Sequence, residues 1–476
     1  MDVNETRLFI ESRWDESILP ELEAYIRMPA LSPHFDAQWA EHGHLDAAVE
    51  HIRRWCAERP IAGLKVEVVR LDDRTPVIFM EVPAYRGGSD DRTVLLYGHL
   101  DKQPEMEGWD ADKGPWKPVR IGDKLYGRGG ADDGYAAYAS LTAIEALQRQ
   151  DIAHDRCVIL IEACEESGSF DLPPYLDHLE ARLGTPELVV CLDSGCGNYD
   201  QLWSTTSLRG LVGGVLTVEA MKPTADGSAS GVHSGKGSGI VPSTFRILRT
   251  LLERIEDPKT GAISLAALQT EIPEERKAQA EATAQILGDV VWQEFPFHES
   301  AEPVARGAEA LLNRTWRPYL EVVGSDMPTL EGGNVLRGRL RAKLSVRIPP
   351  RVDAEAATDA LTAALQEDPP FGAHVTFTAE QGADGWDAPP LAPWLEASLQ
   401  KASRTFFDAD AAYVGEGGTI PFMGMLGEKF PEAQFCITGL LGPESNAHGP
   451  NEFLHVPCAK RLTMCVSSVL ADLAQR

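Results

Sequence analysis

The sequence lacks long apolar segments, an excess of positive charge and any CxxC motif. Its longest apolar runs, such as residues 158–161 and 188–192, are far shorter than the ~20 residues that cross a bilayer. Its 44 Lys and Arg residues are outnumbered by 72 Asp and Glu residues, which gives a net charge of −28 at pH 7. Because phosphate groups bind clustered Lys and Arg, we expect neither a nucleic acid nor a membrane as partner.

The cysteines and the amino-terminal segment indicate a reducing compartment. The 8 cysteines of this long chain are scattered, which favours free thiols over a disulfide framework. The opening segment MDVNETRLFIESRW has neither the basic region nor the apolar region of a secretory signal. We therefore expect a cytoplasmic protein that acts on a small molecule.

Short β-branched and aliphatic runs alternate with helix-like stretches along most of the chain. This alternation predicts an α/β fold with a mostly parallel sheet. The middle of the chain differs, because strand-like runs there are separated by a Gly/Ser-rich loop at residues 226–239 and by a charged helical stretch. We predict a catalytic domain in two sequence halves, residues 1–209 and 386–476, with an inserted α+β lid and dimerisation domain at residues 210–385.

Polar residues follow several of the apolar runs directly, where the strands of a parallel sheet would end. In an open α/β sheet, ligands bind beyond the carboxyl ends of the strands. The residues found there are histidines and acids: His99, Asp101, Asp132, Asp133, Glu165, Glu166, Asp193 and His448. One Asp or His at such a position is commonly a helix cap or a solvated residue. Several at one sheet edge predict a shared site.

The composition of this predicted site indicates two metal ions. Carboxylates concentrated in one cleft repel each other unless cations neutralise them. Imidazole and carboxylate donors without a convincing cysteine ligand suit Zn²⁺ or Mn²⁺. Structural Ca²⁺ does not fit the two histidines, since Ca²⁺ takes oxygen ligands.

These motifs resemble those of the dinuclear zinc peptidases, a family that includes carnosinase, cytosolic nonspecific dipeptidase, aminoacylase, glutamate carboxypeptidase and succinyl-diaminopimelate desuccinylase. The resemblance follows the family's order from VLLYGHLD to NAHGPNE and covers nearly the whole chain. It implies one metal site formed by His99, Asp132 and Asp193. Asp132 would bridge to a second metal ion, which Glu166 and His448 would hold.

The resemblance also implies roles for residues beside the metal ligands. Asp101 would orient His99, and Glu165 would act as the general base on the water between the metals. His233, in SGVHSG, matches the histidine loop of the family's lid, where the His reaches the active site of the opposing subunit and stabilises the oxyanion. A homodimer follows from this match.

Three further motifs resemble substrate-binding segments of the family. Asn334, in GGNVLRG, matches a residue that meets the substrate near the lid, and Arg347, in LSVRIPP, matches an Arg that pairs with the substrate's terminal carboxylate. The loop GEGGTIP resembles the REGGSIP loop of the dipeptidase branch. Its Gly417 and Gly418 would let backbone N–H groups approach the substrate, and Thr419 would offer a hydroxyl.

Two positions depart from the family's pattern. Gly415 stands where the dipeptidase branch often carries Arg, and Arg337 stands where the motif NVIP has Pro. Both lie in substrate-facing loops, so they concern the substrate rather than the metal chemistry.

We therefore expect a dipeptidase, or a closely related exopeptidase, that uses two divalent metal ions to hydrolyse the amide bond of small peptides. An N-acyl amino acid deacylase of the same family, such as a deacetylase or desuccinylase, is the first alternative. A non-catalytic binding protein on the same fold is a remote one, because every implied ligand and the implied base are present: His99, Asp132, Glu165, Glu166, Asp193 and His448.

Overall fold

A computed structural model of the chain describes residues 1–225, 229–328, 330 and 332–476. The α-helices are α1 (Val3–Arg13), α2 (Leu19–Ile26), α3 (Trp39–His42), α4 (His44–Ala57), α5 (Ala136–Arg149), α6 (Leu172–His178), α7 (Glu180–Leu183), α8 (Ser234–Gly237), α9 (Thr244–Leu252), α10 (Glu274–Leu287), α11 (Val290–Gln293), α12 (Gly307–Thr315), α13 (Ala354–Gln366), α14 (Pro393–Phe407), α15 (Pro421–Lys429) and α16 (Val456–Ala474). Among the described residues, none of these helices has both the length and the apolar character to span a membrane.

The β-strands of the described residues form five sheets. They are β1 (Lys65–Val69), β2 (Val77–Val82), β3 (Thr93–His99), β4 (Val119–Ile121), β5 (Lys124–Tyr126), β6 (Arg156–Glu162), β7 (Pro186–Cys191), β8 (Trp203–Leu208), β9 (Gly210–Glu219), β10 (Gly231–His233), β11 (Tyr319–Ser325), β12 (Val335–Arg337), β13 (Arg339–Ile348), β14 (His374–Ala379), β15 (Trp386–Asp387), β16 (Ala412–Glu416), β17 (Gln434–Ile437) and β18 (Phe453–His455). Short π-helical turns cover Trp14–Ile18 and Gly130–Gly134, and 3₁₀ turns cover Glu165–Ser167, Ala266–Leu268 and Pro370–Gly372.

The largest sheet has six strands in the order β1-β2-β6-β3-β7-β17. Strands β6, β3, β7 and β17 run parallel to one another, and β2 is antiparallel to both β1 and β6. This is the mostly parallel sheet of the predicted α/β fold. Its last strand, β17, comes from the carboxyl-terminal part of the chain, which therefore completes a sheet begun by the amino-terminal part.

Both faces of this sheet are covered, as expected for central parallel strands. Every residue of β3 is buried. Val94 and Leu96 pack into one core cluster with residues of α4, α5 and α16, while Leu95 and Tyr97 pack into another with residues of α6 and α15. The alternation follows from the two-residue period of a strand. It fixes β3 in the middle of the molecule, with His99 at its carboxyl end.

A second sheet lies within the predicted inserted segment. It has four antiparallel strands in the order β11-β13-β9-β14. Buried and less buried residues alternate along β9 and β13, and the buried residues pack against α9 and α13. This is the pattern of a sheet with one covered face.

Two helices of the predicted inserted segment pack against a different sheet from the four-stranded one. Helices α10 and α12 lie against β16, which pairs with β8 in a three-stranded sheet with β15. In α10, Arg276 donates to the Asp387 carboxylate and to the Ala388 carbonyl, and Thr283 donates to the Tyr413 carbonyl. Side-chain contacts with the carboxyl-terminal part of the chain therefore hold this charged helix. The domain boundaries at 209/210 and 385/386 remain a prediction.

Candidate metal centre

The carboxyl ends of the parallel strands deliver polar side chains to one edge of the large sheet. His99 ends β3, Glu165 and Glu166 follow β6, and Asp193 follows β7. Asp132 lies in the turn Gly130–Gly134 that precedes α5, and its peptide bond to Asp133 is cis. His448 lies in the loop between β17 and β18. The structure thus gathers five segments that are distant in sequence.

Asp132 stands between the two histidines. Its Oδ1 lies 3.1 Å from Nε2 of His99, and its Oδ2 lies 3.0 Å from Nε2 of His448. The same His99 nitrogen is 3.7 Å from Oδ2 of Asp193, and the same His448 nitrogen is 3.3 Å from Oε2 of Glu166. The Asp132 carboxylate thus lies between two groups of side chains. His99 and Asp193 form one group, and His448 and Glu166 form the other.

Asp101 organises the residues around it. Its carboxylate accepts hydrogen bonds from the backbone N–H groups of Glu165, at 3.1 Å, and of Glu166, at 3.0 Å. Nδ1 of His99 lies 3.2 Å from the Asp101 carbonyl and 3.4 Å from its carboxylate. A proton on Nδ1 is directed to Asp101, so Nε2, which faces Asp132 and Asp193, is the nitrogen that a metal ion would use.

In the described part of the chain, two groups of three side chains have the spacing of a metal site. His99, Asp132 and Glu166 form one, and His99, Glu165 and Asp193 form the other. In each group the potential ligand atoms all lie within 4.8 Å of one another. Imidazole nitrogen and carboxylate oxygen are the donors that Zn²⁺ and Mn²⁺ accept.

The buried carboxylates of this centre need positive countercharges. Burial, followed by the charge of Asp193, raises the pKa of Glu165 well above its usual value, and burial followed by Asp132 does the same for Glu166. Burial raises the pKa of Asp193 to about 6. Burial also acts to raise the pKa of Asp132, but hydrogen bonds with His448 and His99 outweigh it and lower that pKa. These carboxylates need protons or cations as countercharges, and a metal pair fits that need.

A buried ion pair holds the His448 loop against the Asp132 loop. The Arg128 guanidinium pairs with the Glu452 carboxylate, and both side chains are almost completely buried. Arg128 also donates to the Gly449 carbonyl at 3.0 Å, and the Gly129 N–H donates to Glu452 at 2.8 Å. Since the His448 side chain is itself 54% exposed, these contacts are what position it beside Asp132.

Replacing Glu452 with Gln is expected to lower the free energy of unfolding by about 3–5 kcal/mol, because it leaves the buried charge of Arg128 without its partner. Urea denaturation measures the change. The matched control is Glu444→Gln in the same loop, where the carboxylate is 80% exposed and pairs with Lys124 at 3.2 Å. That variant is expected to lose at most about 1 kcal/mol. Equal losses in the two variants would contradict the role given to the Arg128 pair.

Gln103 and Glu162 are residues of this centre that the sequence-based site lacks, whereas Asp133 was predicted at this sheet edge without a role. Gln103 donates to Oε2 of Glu166 at 2.7 Å, and Asp133 accepts the His99 N–H at 3.3 Å. Glu162 accepts hydrogen bonds from Tyr97 and Ser169, and burial raises its pKa to about 8. Gln103 lies four residues after His99 and Glu162 three residues before Glu165, which is a signal, but closeness in sequence does not show that a side chain faces the cluster.

Arg347 contacts the loop at residues 417–419, whose sequence resembles a substrate-binding loop of the family. Nη1 of Arg347 is 3.3 Å from the Thr419 hydroxyl, which donates to the Arg209 carbonyl at 2.6 Å. Nε of Arg209 donates in turn to the Gly417 carbonyl at 3.3 Å. Gly418 is exposed at the tip of the loop. Arg209 is a further residue of this group that the motifs did not predict.

His233 and Asn334 lie on a separate two-stranded ribbon formed by β10 and β12. His233 pairs with Val335, and the Ser234 N–H donates to the Asn334 carbonyl at 2.9 Å. Both side chains are exposed. Within the described part of the chain, no hydrogen bond or ion pair joins either residue to the acidic cluster.

Comparisons with known proteins match the chain to a peptidase family. The model of a family described as Peptidase family M20/M25/M40 matches residues 95–472. A cysteinylglycine-S-conjugate dipeptidase of Corynebacterium striatum is 26% identical over 469 residues, which cover 94% of each chain. A Beta-Ala-His dipeptidase of Homo sapiens is 25% identical over 399 residues, which cover 79% of this chain and 73% of that protein.

A solved structure shares the fold over the full length. It is that of a dipeptidase from Saccharomyces cerevisiae, with a TM-score of 0.77 at 19% sequence identity, and the match covers 100% of this chain and 99% of that one. The residues that the family model matches run from β3 to α16. They include His99, Asp101, Asp132, Glu165, Glu166, Asp193 and His448.

Proposed function

Because this chain belongs to peptidase family M20/M25/M40, we propose that it is a two-metal dipeptidase that hydrolyses the peptide bond of free dipeptides. The observation that carries the proposal is the position of Asp132, whose two carboxylate oxygens face different histidines. A carboxylate so placed is suited to bridge two metal ions. The dipeptidases of Corynebacterium striatum and Homo sapiens, to which the chain is similar, support dipeptides as the substrate class.

The proposed ligands divide between the two metal ions. His99 and Asp193 would hold one, Glu166 and His448 would hold the other, and Asp132 would bridge them. Zn²⁺ and Mn²⁺ both fit these donors. A metal pair in such a site lowers the pKa of a water and polarises the scissile carbonyl.

Glu165 is the proposed general base. Its carboxylate lies with His99 and Asp193 in a group whose potential ligand atoms are within 4.8 Å of one another, so it borders the metal positions. The Asp101 carboxylate fixes its backbone at 3.1 Å. From there Glu165 accepts the proton of the attacking water and delivers it to the leaving amine.

Arg347 and the loop at residues 417–419 are proposed to bind the substrate's terminal carboxylate. Among the described residues, Arg347 forms no ion pair, and its guanidinium is free to pair with an anion beside the Thr419 hydroxyl. A planar guanidinium matches a carboxylate with two parallel hydrogen bonds. Gly417 and Gly418 are proposed to offer backbone N–H groups to the same ligand, and Gly418 is the open position, since no heavy atom lies within 4 Å of a Cβ built on it.

His233 and Asn334 are proposed to act from the partner subunit of a homodimer. Their exposure on the β10 and β12 ribbon supports this assignment, since an exposed imidazole can enter a neighbouring site. His233 would there donate to the oxyanion of the tetrahedral intermediate. We also propose a cytoplasmic location, which suits eight free, buried cysteines.

Mixing two inactive variants is expected to restore activity if His233 acts across the dimer. His233→Ala and Glu165→Ala homodimers each lack one component of every site, but a heterodimer has one site with an intact Glu165 and the partner's intact His233. Dipeptide hydrolysis is measured after the subunits are exchanged. A hydrodynamic mass of one chain, or no recovery after verified exchange, would contradict the assignment.

Metal removal and reconstitution test the proposed function. Protein that has been treated with a chelator and dialysed is expected to leave free dipeptides intact, and addition of Zn²⁺ or Mn²⁺ is expected to restore hydrolysis as two ions bind per chain. Mg²⁺, which prefers oxygen ligands in octahedral geometry, is the control and is expected to restore little activity. Undiminished hydrolysis by verified metal-free protein would exclude the proposed mechanism.

A further inference from the structure

Two buried side chains hold the residues on either side of Asp101. Tyr25, in α2, and Lys102 are both completely buried. The Tyr25 hydroxyl donates to the Leu100 carbonyl at 2.7 Å, and Nζ of Lys102 donates to the Tyr25 carbonyl at 2.8 Å. Leu100 and Lys102 are the two neighbours of Asp101 in the chain. The pair, which we call the Tyr25–Lys102 clamp, therefore fixes the backbone on both sides of that carboxylate.

Backbone carbonyls, rather than a carboxylate, accept the hydrogen bonds of the Lys102 amino group in the described part of the chain. Besides the Tyr25 carbonyl, Nζ donates to the Met28 carbonyl at 2.8 Å, and it lies 3.8 Å from the centre of the Tyr25 ring. A buried amino group needs such acceptors, because burying it without them costs free energy. The contacts hold the side chain, and with it the backbone of residue 102, at the end of α2.

The clamp also packs against the turn that carries Asp132. A Cβ atom on Gly129 would lie 2.7 Å from the stem of Lys102, and one on Gly134 would overlap the ring of Tyr25. Only glycine lets the backbone approach the two side chains this closely. The clamp thus touches a second segment of the metal centre.

The chain that follows α2 reaches Ser167, two residues after the proposed base. The Ser32 N–H donates to the Lys102 carbonyl at 3.0 Å, and the Ser32 hydroxyl lies 2.5 Å from the Ser167 hydroxyl. Residues 25–34 therefore contact three segments of the metal centre, although they precede the part of the chain that the family model matches.

We propose that Tyr25 and Lys102 are positioning residues of the metal centre, which hold the Asp101 carboxylate where it meets both His99 and the backbone of Glu165. The inference rests on the proposed function and deepens it, because it identifies what keeps the proposed base in place. Asp101 accepts hydrogen bonds from the N–H groups of the base and of the next residue, so a shift of Asp101 moves both.

Replacing Lys102 with Met tests this role, because Met keeps an unbranched apolar stem but cannot donate a hydrogen bond. The kcat for a free dipeptide is expected to fall by about 10-fold, the lower end of the range for groups that orient a metal ligand from behind. KM is expected to stay nearly unchanged, since Arg347 and the loop at residues 417–419 are not part of the clamp. The control is Lys117→Met, at an exposed position, which is expected to match the wild type.

Hydrogen exchange on the metal-free protein gives a readout that does not depend on activity. The N–H groups of Glu165 and Glu166 donate to the Asp101 carboxylate, which is 64 and 65 positions away in the sequence. We expect both groups to exchange faster in Lys102→Met than in the wild type, because their acceptor is no longer held in place. A lysine that only stabilised the end of α2 would leave their exchange unchanged.

The contrary outcomes separate the clamp from the proposed function. Folded Lys102→Met with the wild-type kcat, or with the wild-type exchange at Glu165 and Glu166, would overturn the inference. If Lys102→Met does not fold, Tyr25→Phe decides in its place, because it removes only the hydroxyl that donates to Leu100, and unchanged kcat and exchange would again overturn the inference. Failure of the metal-loaded wild type to hydrolyse any free dipeptide would instead remove the proposed function, and the exchange measurement would then decide on the clamp.

Discussion

Replacing Glu165 with Gln is expected to lower kcat for a free dipeptide by about 10²- to 10⁴-fold, the range for loss of a positioned general base. The amide keeps the size of the side chain but cannot take a proton from water. The backbone of residue 165 would still donate to Asp101, so the loop keeps its position. Steady-state kinetics measures the loss, and metal analysis of the same sample measures the bound ions.

The metal content of Glu165→Gln shows whether Glu165 is a general base or a metal ligand. Glu165 belongs to one of the two groups with metal-site spacing, together with His99 and Asp193. We expect Glu165→Gln to retain two ions per chain, whereas Glu166→Gln, at the neighbouring position, is expected to lose metal. Loss of an ion from Glu165→Gln would show that Glu165 is a ligand and that the base lies elsewhere.

Replacing Asp132 with Ala is expected to empty both metal positions and abolish hydrolysis. Asp132 is the one side chain in contact with both histidines, at 3.1 Å from His99 and 3.0 Å from His448, among the described residues. Without it neither ion keeps its bridging ligand, and Asp193, Glu165 and Glu166 are left to repel each other. Metal analysis after dialysis and a dipeptide assay check both results.

The matched control for Asp132 is the adjacent Asp133. Burial, followed by the charge of Asp193, raises the pKa of Asp133 well above its usual value, so a neutral amide is a mild replacement at this position. Asp133→Asn keeps the shape and an oxygen that can accept the His99 N–H, and is expected to retain the metals. If Asp132→Ala retained an ion and Asp133→Asn lost one, the bridging role given to Asp132 would be wrong.

The large sheet was predictable because its strands are continuous apolar runs. Residues 94–97 and 158–161 read as buried strands, and they lie within β3 and β6. The position of α10 was not predictable, because its buried residues are Arg276 and Thr283 rather than an apolar stripe. Such a helix is placed by polar contacts with residues more than 100 positions away, as in the bond between Arg276 and Asp387.

The candidate site was predictable as a set of residues but not as an arrangement. Strand ends and motif resemblance identified His99, Asp132 and Asp193, since a parallel sheet brings such positions to one edge. The ion pair between Arg128 and Glu452 was not identified, because its partners are distant in sequence and each resembles an ordinary surface charge.

Product analysis by mass spectrometry tests the central claim most directly. Zn²⁺- or Mn²⁺-loaded protein is incubated with one pooled mixture of free dipeptides and N-acyl amino acids, and Glu165→Ala serves as the blank. The account predicts that free dipeptides are converted to amino acids by the wild type alone. Cleavage confined to the N-acyl compounds, or cleavage of free dipeptides that Glu165→Ala matches, would contradict it.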